Sequence, residues 1–263
     1  MFRGFQLDLG DSDFSSYQED GEAIFDGLKD EVKPVLDSFI LTNGAIDADS
    51  MQDEWFPQKK MDIFISHAHA DRDRAVALAG FLAYELNITS FIDSCIWGHA
   101  KNLLWRLDKK YCKDDDDEFF DYHRRNHSTA HVHMILNNAL SQMIDNCECF
   151  FFLKTENSTV ESIIKDKTNS PWIFSEISTS RMIEKKDPPR PILNEMTMLF
   201  SKGEDISERK RADLKMEFRL KLQHLMPLNT RDLLRWKEHI NSLHEPRERH
   251  PLDKLYKLKP ITR

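Results

Sequence analysis

His123, His127 and His131 follow one another at intervals of four, with His133 close behind. On one continuous helix that spacing would align three imidazoles as nitrogen ligands for a zinc-like ion. Two features weigh against a metal centre: Ser128 reads as a helix N-cap, which would break the alignment, and no thiolate or carboxylate completes the set. The expectation is therefore that no metal is bound. The run Asp114-Asp-Asp-Asp-Glu118 also invites a cation, yet it lacks the alternating acids and central glycine of a calcium loop and reads as a solvated face. Glu176 stands one helical turn beyond Trp172, just after Ser170-Pro171. By spacing alone it is a first-turn acid that complements the helix dipole. Ser66 and His67 read as polar residues at the tip of a strand, and Asp93 as a turn residue. Trp97 is either a ring that stacks on a ligand or a loop anchor.

Several common chemistries are excluded by what the chain lacks. Its eight glycines form neither GxGxxG nor GxxxxGK[ST], and there is no GxSxG elbow and no HExxH. A bound nucleotide would have to be held by side chains and strand-end loops. Cys95, Cys112, Cys147 and Cys149 include no CxxC pair and suggest neither a disulfide framework nor structural zinc, and Cys147 and Cys149 read as core. No run is long and apolar enough to span a membrane, and the first residues lack a signal-peptide pattern, so a cytoplasmic protein with no membrane partner is expected. The 263 residues carry a net charge of −8. Residues 1–60 hold 5 Lys/Arg against 14 Asp/Glu, while residues 201–263 hold 16 against 10. The acidic total argues against a nucleic-acid partner, and the basic end is expected to pack near the acidic beginning.

The elements that must position these residues alternate. Residues 1–60 read as an acidic helical extension, from Ile24, Leu28, Val32, Leu36 and Phe39 around Pro34. At Met61-Asp-Ile-Phe-Ile-Ser66 the pattern changes to a buried parallel strand, followed by a helix over 70–86 and a second strand over 89–93. Residues 94–127 read as a polar, irregular insertion. Leu136, Ala139, Leu140, Met143 and Ile144 then mark an amphipathic helix, and Cys147–Leu153 an aromatic strand. A helix after Ser170, strands over 191–200 and near 216–222, and a helix from about Asn229 with Leu233, Trp236, Ile240 and Leu243 on one face complete a domain over 61–245. Residues 246–263 read as a basic tail. The predicted fold class is α/β, a flavodoxin-like open parallel sheet flanked by helices, with its functional crevice at the strand C-terminal ends.

Asp62-Ile-Phe-Ile-Ser-His67, the acid-bearing helix start after it, and Phe91-Ile-Asp93 resemble the opening of a Toll/interleukin-1 receptor (TIR) domain. In that family the first strand reads D-[VI]-F-[IL]-S, the second ends in V-F-x-D, and a BB loop that governs self-association follows. Here the loop would begin at Asp93-Ser-Cys-Ile-Trp-Gly98. Trp172-Ile-Phe-Ser-Glu176 resembles the W-x-x-x-E pattern of catalytic TIR domains, in which the glutamate serves an NAD+ glycohydrolase. The resemblance covers about residues 61–243. It implies Glu176 as catalytic residue, with Ser66, His67, Asp93, Trp97 and Trp172 as substrate-binding residues. It also implies NAD+ as substrate with no separate cofactor, and homo-oligomers formed through TIR–TIR contacts. A role in bacterial anti-phage defence, through ADP-ribose or a cyclic or modified ADP-ribose signal with a downstream effector, is implied in the same way.

That chemistry is physically economical. The nicotinamide leaves as a neutral molecule, so the demand falls on the ribose, where a carboxylate facing the developing oxocarbenium stabilises charge as it forms. The competing expectation is a non-catalytic TIR adaptor that pairs through its BB loop. A phosphoacceptor or flavodoxin module sharing only the sheet fits less well, because the first strand ends in Ser-His rather than an acidic pair or a glycine-rich loop.

Overall fold

A computed structural model describes residues 1–12, 14–29, 36–56, 58–113, 119–159, 166–188, 190, 216–241 and 250–260. In chain order its strands are β1 (Arg3–Asp8), β2 (Ile63–Ser66), β3 (Ser90–Ile92), β4 (Cys149–Leu153), β5 (Lys167–Thr168), β6 (Phe218–Arg219) and β7 (Met226–Asn229). Its helices are α1 (Gln18–Lys29), α2 (Ala48–Trp55), α3 (Arg72–Leu86), α4 (Ser94–Tyr111), α5 (Tyr122–Asn146), α6 (Pro171–Met182), α7 (Thr230–Asn241) and α8 (Pro251–Leu258).

Five strands form one sheet in the order β3-β2-β4-β1-β7, and every neighbouring pair is parallel. β5 and β6 make a separate antiparallel pair. The α/β class and the helix-flanked, flavodoxin-like open parallel sheet are as expected. The sheet's centre is the all-buried run Cys149-Phe-Phe-Phe-Leu153, a continuous apolar strand of the kind that needs cover on both faces. Phe64 stacks on Phe150 with centroids 5.7 Å apart, and Phe5 meets Phe151 edge-on at 5.8 Å.

The beginning of the chain corrects the expected helical extension. Residues 3–8 are a strand inserted between β4 and β7, so the first sixty residues are not an appendage to the sheet but part of it. Phe5 and Leu7 are fully buried, and Arg3 is tolerated because its guanidinium donates to the carbonyls of Tyr256 and Lys259 at 3.2 and 3.1 Å. α1 then packs on α3 at close range. A Cβ on Gly21 would lie 2.0 Å from the Val76 carbonyl oxygen, and one on Gly80 would lie 2.1 Å from that of Tyr17. Only hydrogen fits at either point.

Residues 94–127 are likewise not irregular. α4 fills 94–111 with Ile96, Ala100, Leu103 and Leu107 buried along one stripe, and the expected loop from Asp93 to Gly98 is its first turn. Ser128 does not cap a helix. α5 begins at Tyr122, capped by Asp121, whose side chain accepts from the Arg124 amide, and Ser128 lies within it. Residues 114–118 lie outside the described residues, as does the strand expected over 191–200. The strand expected near 216–222 is β6, apart from the main sheet, whose last member is β7. The basic tail is a packed helix: α8 buries Leu252, Leu255 and Tyr256. Among the described residues no helix is long and apolar enough to cross a membrane.

Candidate functional site

The carboxyl ends of β2 and β3 and the middle of α6 converge on a polar cluster. Ser66 ends β2, and His67 follows it. Asp93 follows β3 directly, with helical backbone angles that leave its side chain without a capping bond to α4, free to turn inward. Glu176 is held by α6, whose start is set as the sequence suggests: the Ser170 side chain accepts from the Ile173 amide, and Pro171 takes the first helical position. All four side chains are enclosed, with relative exposures of 0% for Ser66, 4% for His67, 2% for Asp93 and 1% for Glu176. Glu176 is therefore not the exposed first-turn acid that its spacing alone suggests.

Two short contacts organise the cluster. The Ser66 hydroxyl donates to Glu176 Oε2 at 2.6 Å. His67 Nδ1 stands 2.8 Å from Asp93 Oδ1, within ion-pair range although off the line of a ring N–H hydrogen bond. Within the cluster, Glu176 Oε1, Asp93 Oδ1 and His67 Nε2 are buried without a hydrogen-bond partner among the described residues. Burial pushes the Glu176 carboxyl well above the ordinary range and the charge of Asp93 adds to this, with the Ser66 hydrogen bond opposing both. Burial alone would lower the proton affinity of His67, yet Asp93, supported by Asp71, more than reverses this and leaves it raised. In this closed arrangement burial and the neighbouring Asp93 both favour the neutral form of Glu176.

The same two helices bring two indoles together. Trp97 is one turn beyond Asp93 on α4, and Trp172 one turn before Glu176 on α6. The two indoles meet edge-to-face with centroids 4.9 Å apart, and His133 of α5 closes on Trp172 at 5.6 Å. The six residues singled out in the sequence are thus brought together: two carboxyl groups, a hydroxyl, an imidazole and two indoles. Trp97 does so from a helix rather than from a loop.

The metal set is not assembled. α5 is unbroken through His123, His127 and His131, so the expected interruption at Ser128 is absent, but no group of three His, Cys, Asp or Glu among the described residues could hold an ion. Two residues passed over in the sequence belong beside the site. Asp71, buried before α3, accepts from Asn157 Nδ2 at 2.8 Å and from the Thr155 hydroxyl, and so ties the loop after β4 to the tip of β2. Its signal was an acid at a helix start just after a strand tip. His133 reads in the sequence only as a neighbour of the histidine run, not as part of this site.

Comparison of the chain with protein-family models, with curated proteins and with solved structures found no match in any of the three.

Proposed function

We propose that the chain is a TIR-type enzyme that cleaves the nicotinamide–ribose bond of NAD+, with Glu176 as the catalytic carboxyl group. One observation carries the reading: two buried carboxyl groups, Glu176 and Asp93, each keep an oxygen that no N–H or hydroxyl of another residue reaches, beside an imidazole with one unpartnered nitrogen, on helices that bring two indoles together. Orphaned buried polar atoms in that number are costly unless something else satisfies them, and a ribose with its hydroxyls is chemically suited to do so.

In the proposed reaction the C1′–N bond breaks, its electron pair leaves with nicotinamide, and positive charge develops on the ribose. Glu176 must be ionised to face that charge. The cationic nicotinamide ribose supplies the shift, because an adjacent positive charge favours the carboxylate that burial and Asp93 disfavour. The Glu176 proton leaves to solvent as the substrate binds, and water then takes C1′ and gives its proton to the Glu176 carboxylate for the linear product, or a nucleophile within the ADP-ribose itself takes C1′ for the cyclic one. Trp97 and Trp172 offer faces for the base or the nicotinamide, and Ser66 holds the carboxylate in place.

A site this closed must open to admit a dinucleotide, which supports activation by assembly of several copies. The same closure favours the second reading, a non-catalytic adaptor in which Glu176 stays a neutral core acid. Incubation with NAD+ at several protein concentrations, with products resolved by chromatography and mass spectrometry, separates the two. Nicotinamide release rising per subunit with concentration, and falling about 10²- to 10³-fold in a folded Glu176→Gln variant, is expected of the enzyme. Turnover that survives in that variant would remove Glu176 from catalysis, and none in assembled wild type would leave the adaptor.

A further inference from the structure

Between α2, α4 and α5 the fold leaves an open cavity of about 530 Å³, within the range of small-molecule sites. It is lined by none of the six residues of the Glu176 cluster. Its floor is apolar, with Met51 of α2, Leu107 of α4 and Ile135 of α5, and with Ile46 from the segment before α2. Its rim is cationic or hydrogen-bond donating: Arg124, His127 and His131 lie on one stripe of α5, at intervals of three and four.

The sign of the rim follows from who is already paired. Arg124 Nη1 donates to the Lys113 carbonyl at 3.3 Å, and the carboxylate that feels its charge, Asp121, caps α5 and does not line the cavity. Neither His127 nor His131 is tied to another described side chain. Asp108, the buried acid beside the cavity, is already matched by Arg125 Nε at 2.9 Å and by the hydroxyl of Ser128. Among the described residues no carboxylate lines the cavity. An apolar slot of this size that ends in a guanidinium and two imidazoles is complementary to an amphipathic monoanion. The tail leaves water along Met51, Leu107 and Ile135, and the head receives charge-assisted hydrogen bonds from Arg124.

The geometry points to a binding site for a medium-chain carboxylate in this cavity. Its occupant lies between α4, whose first residues adjoin Asp93, and α5, which packs on the helix of Glu176, so it touches the elements that frame the candidate site. The assignment does not depend on the NAD+ reading.

Calorimetric titration of the full chain with dodecanoate below its micellar concentration tests it, with dodecyltrimethylammonium as the cation of matched chain length. One-site binding of dodecanoate is expected, weakened roughly tenfold or more by Arg124→Glu and for the cationic analogue. Leu107→Trp, which fills the floor, is expected to abolish it. Arg124 is exposed, so its variant keeps the test sound if the Leu107 variant fails to fold. Absence of dodecanoate binding to wild type, unchanged affinity in Arg124→Glu, or equal or tighter binding of the cation would each overturn the proposal.

Discussion

Two enclosed polar clusters in this molecule are built from similar side chains and end differently. Around Arg190 every contact closes. Its Nε lies 2.9 Å from both carboxylate oxygens of Asp253, Nη1 and Nη2 each donate at 2.7 Å to Glu148, and the Tyr256 hydroxyl donates to the same glutamate at 3.0 Å. Burial alone would loosen the Arg190 proton, but the two acids hold it more firmly than usual. Around Glu176 the contacts stop halfway: an oxygen of Glu176, an oxygen of Asp93 and one nitrogen of His67 are left over. A finished network fastens α8 to the start of β4. An unfinished one that is more deeply buried is tolerated where a ligand is to complete it.

The sharpest way to break this comparison is to remove one partner from each cluster. Arg190→Ala leaves Glu148 and Asp253 facing each other without their cation. Partial exposure screens the loss, so about 2–3 kcal/mol of stability is expected to disappear in denaturant unfolding. An effect within about 0.5 kcal/mol would make the finished network ornamental.

Glu176→Gln is expected to act in the opposite direction. The folded-state proton affinity of Glu176 lies above its ordinary value of 4.5, so above that pH the unfolded chain releases a proton that the folded chain keeps. Stability is then lost as pH rises from about 4.5 toward the folded value. Glutamine carries no such liability. The variant should be more stable than wild type near neutral pH, with the difference vanishing at or below pH 4.5. A pH-independent difference would mean that Glu176 is ionised in the closed state.

The two clusters also differ in how far the sequence reveals them. The candidate site is legible because its residues sit at strand tips and at i, i+4 spacing: Ser66 and His67 after Ile63-Phe-Ile65, Asp93 after Phe91-Ile92, and Trp172 to Glu176 behind a serine cap. What local pattern cannot convey is depth. Glu176 reads as a surface acid until β2 and β3 are set against α6. The Arg190 cluster is invisible to local reading, since Glu148 and Asp253 are more than a hundred residues apart. β1 was missed for a similar reason. Phe5, Leu7 and Leu9 alternate with polar residues, but Arg3 and the acids that follow make the segment look exposed, and the carbonyls that satisfy Arg3 come from beyond residue 255. β7 contains Pro227, which disfavours a strand by sequence and is tolerated here because β7 is an edge. α4 was legible in principle from Ile96, Ala100, Leu103 and Leu107, but the acid run after it masked the stripe.

The finest test separates the two halves of the unfinished cluster. Asp93 raises the proton affinity of both Glu176 and His67, so Asp93→Asn should lower both titrations. Glu176 would still titrate above its ordinary range through burial, and His67 would fall because burial is then opposed only by the Ile65 carbonyl and Asp71. The effects on stability run against each other. The His67–Asp93 pair contributes fully below the ordinary imidazole value of 6.5 and fades as pH rises through the raised folded value, while relief of the Glu176–Asp93 repulsion favours the variant on the alkaline side. The net change near pH 7 is expected to be under about 1 kcal/mol, so the readout is nuclear magnetic resonance titration of the two side chains. If both midpoints stay where they are in wild type, Asp93 only fills space, and the cluster is two separate pairs that happen to be buried side by side.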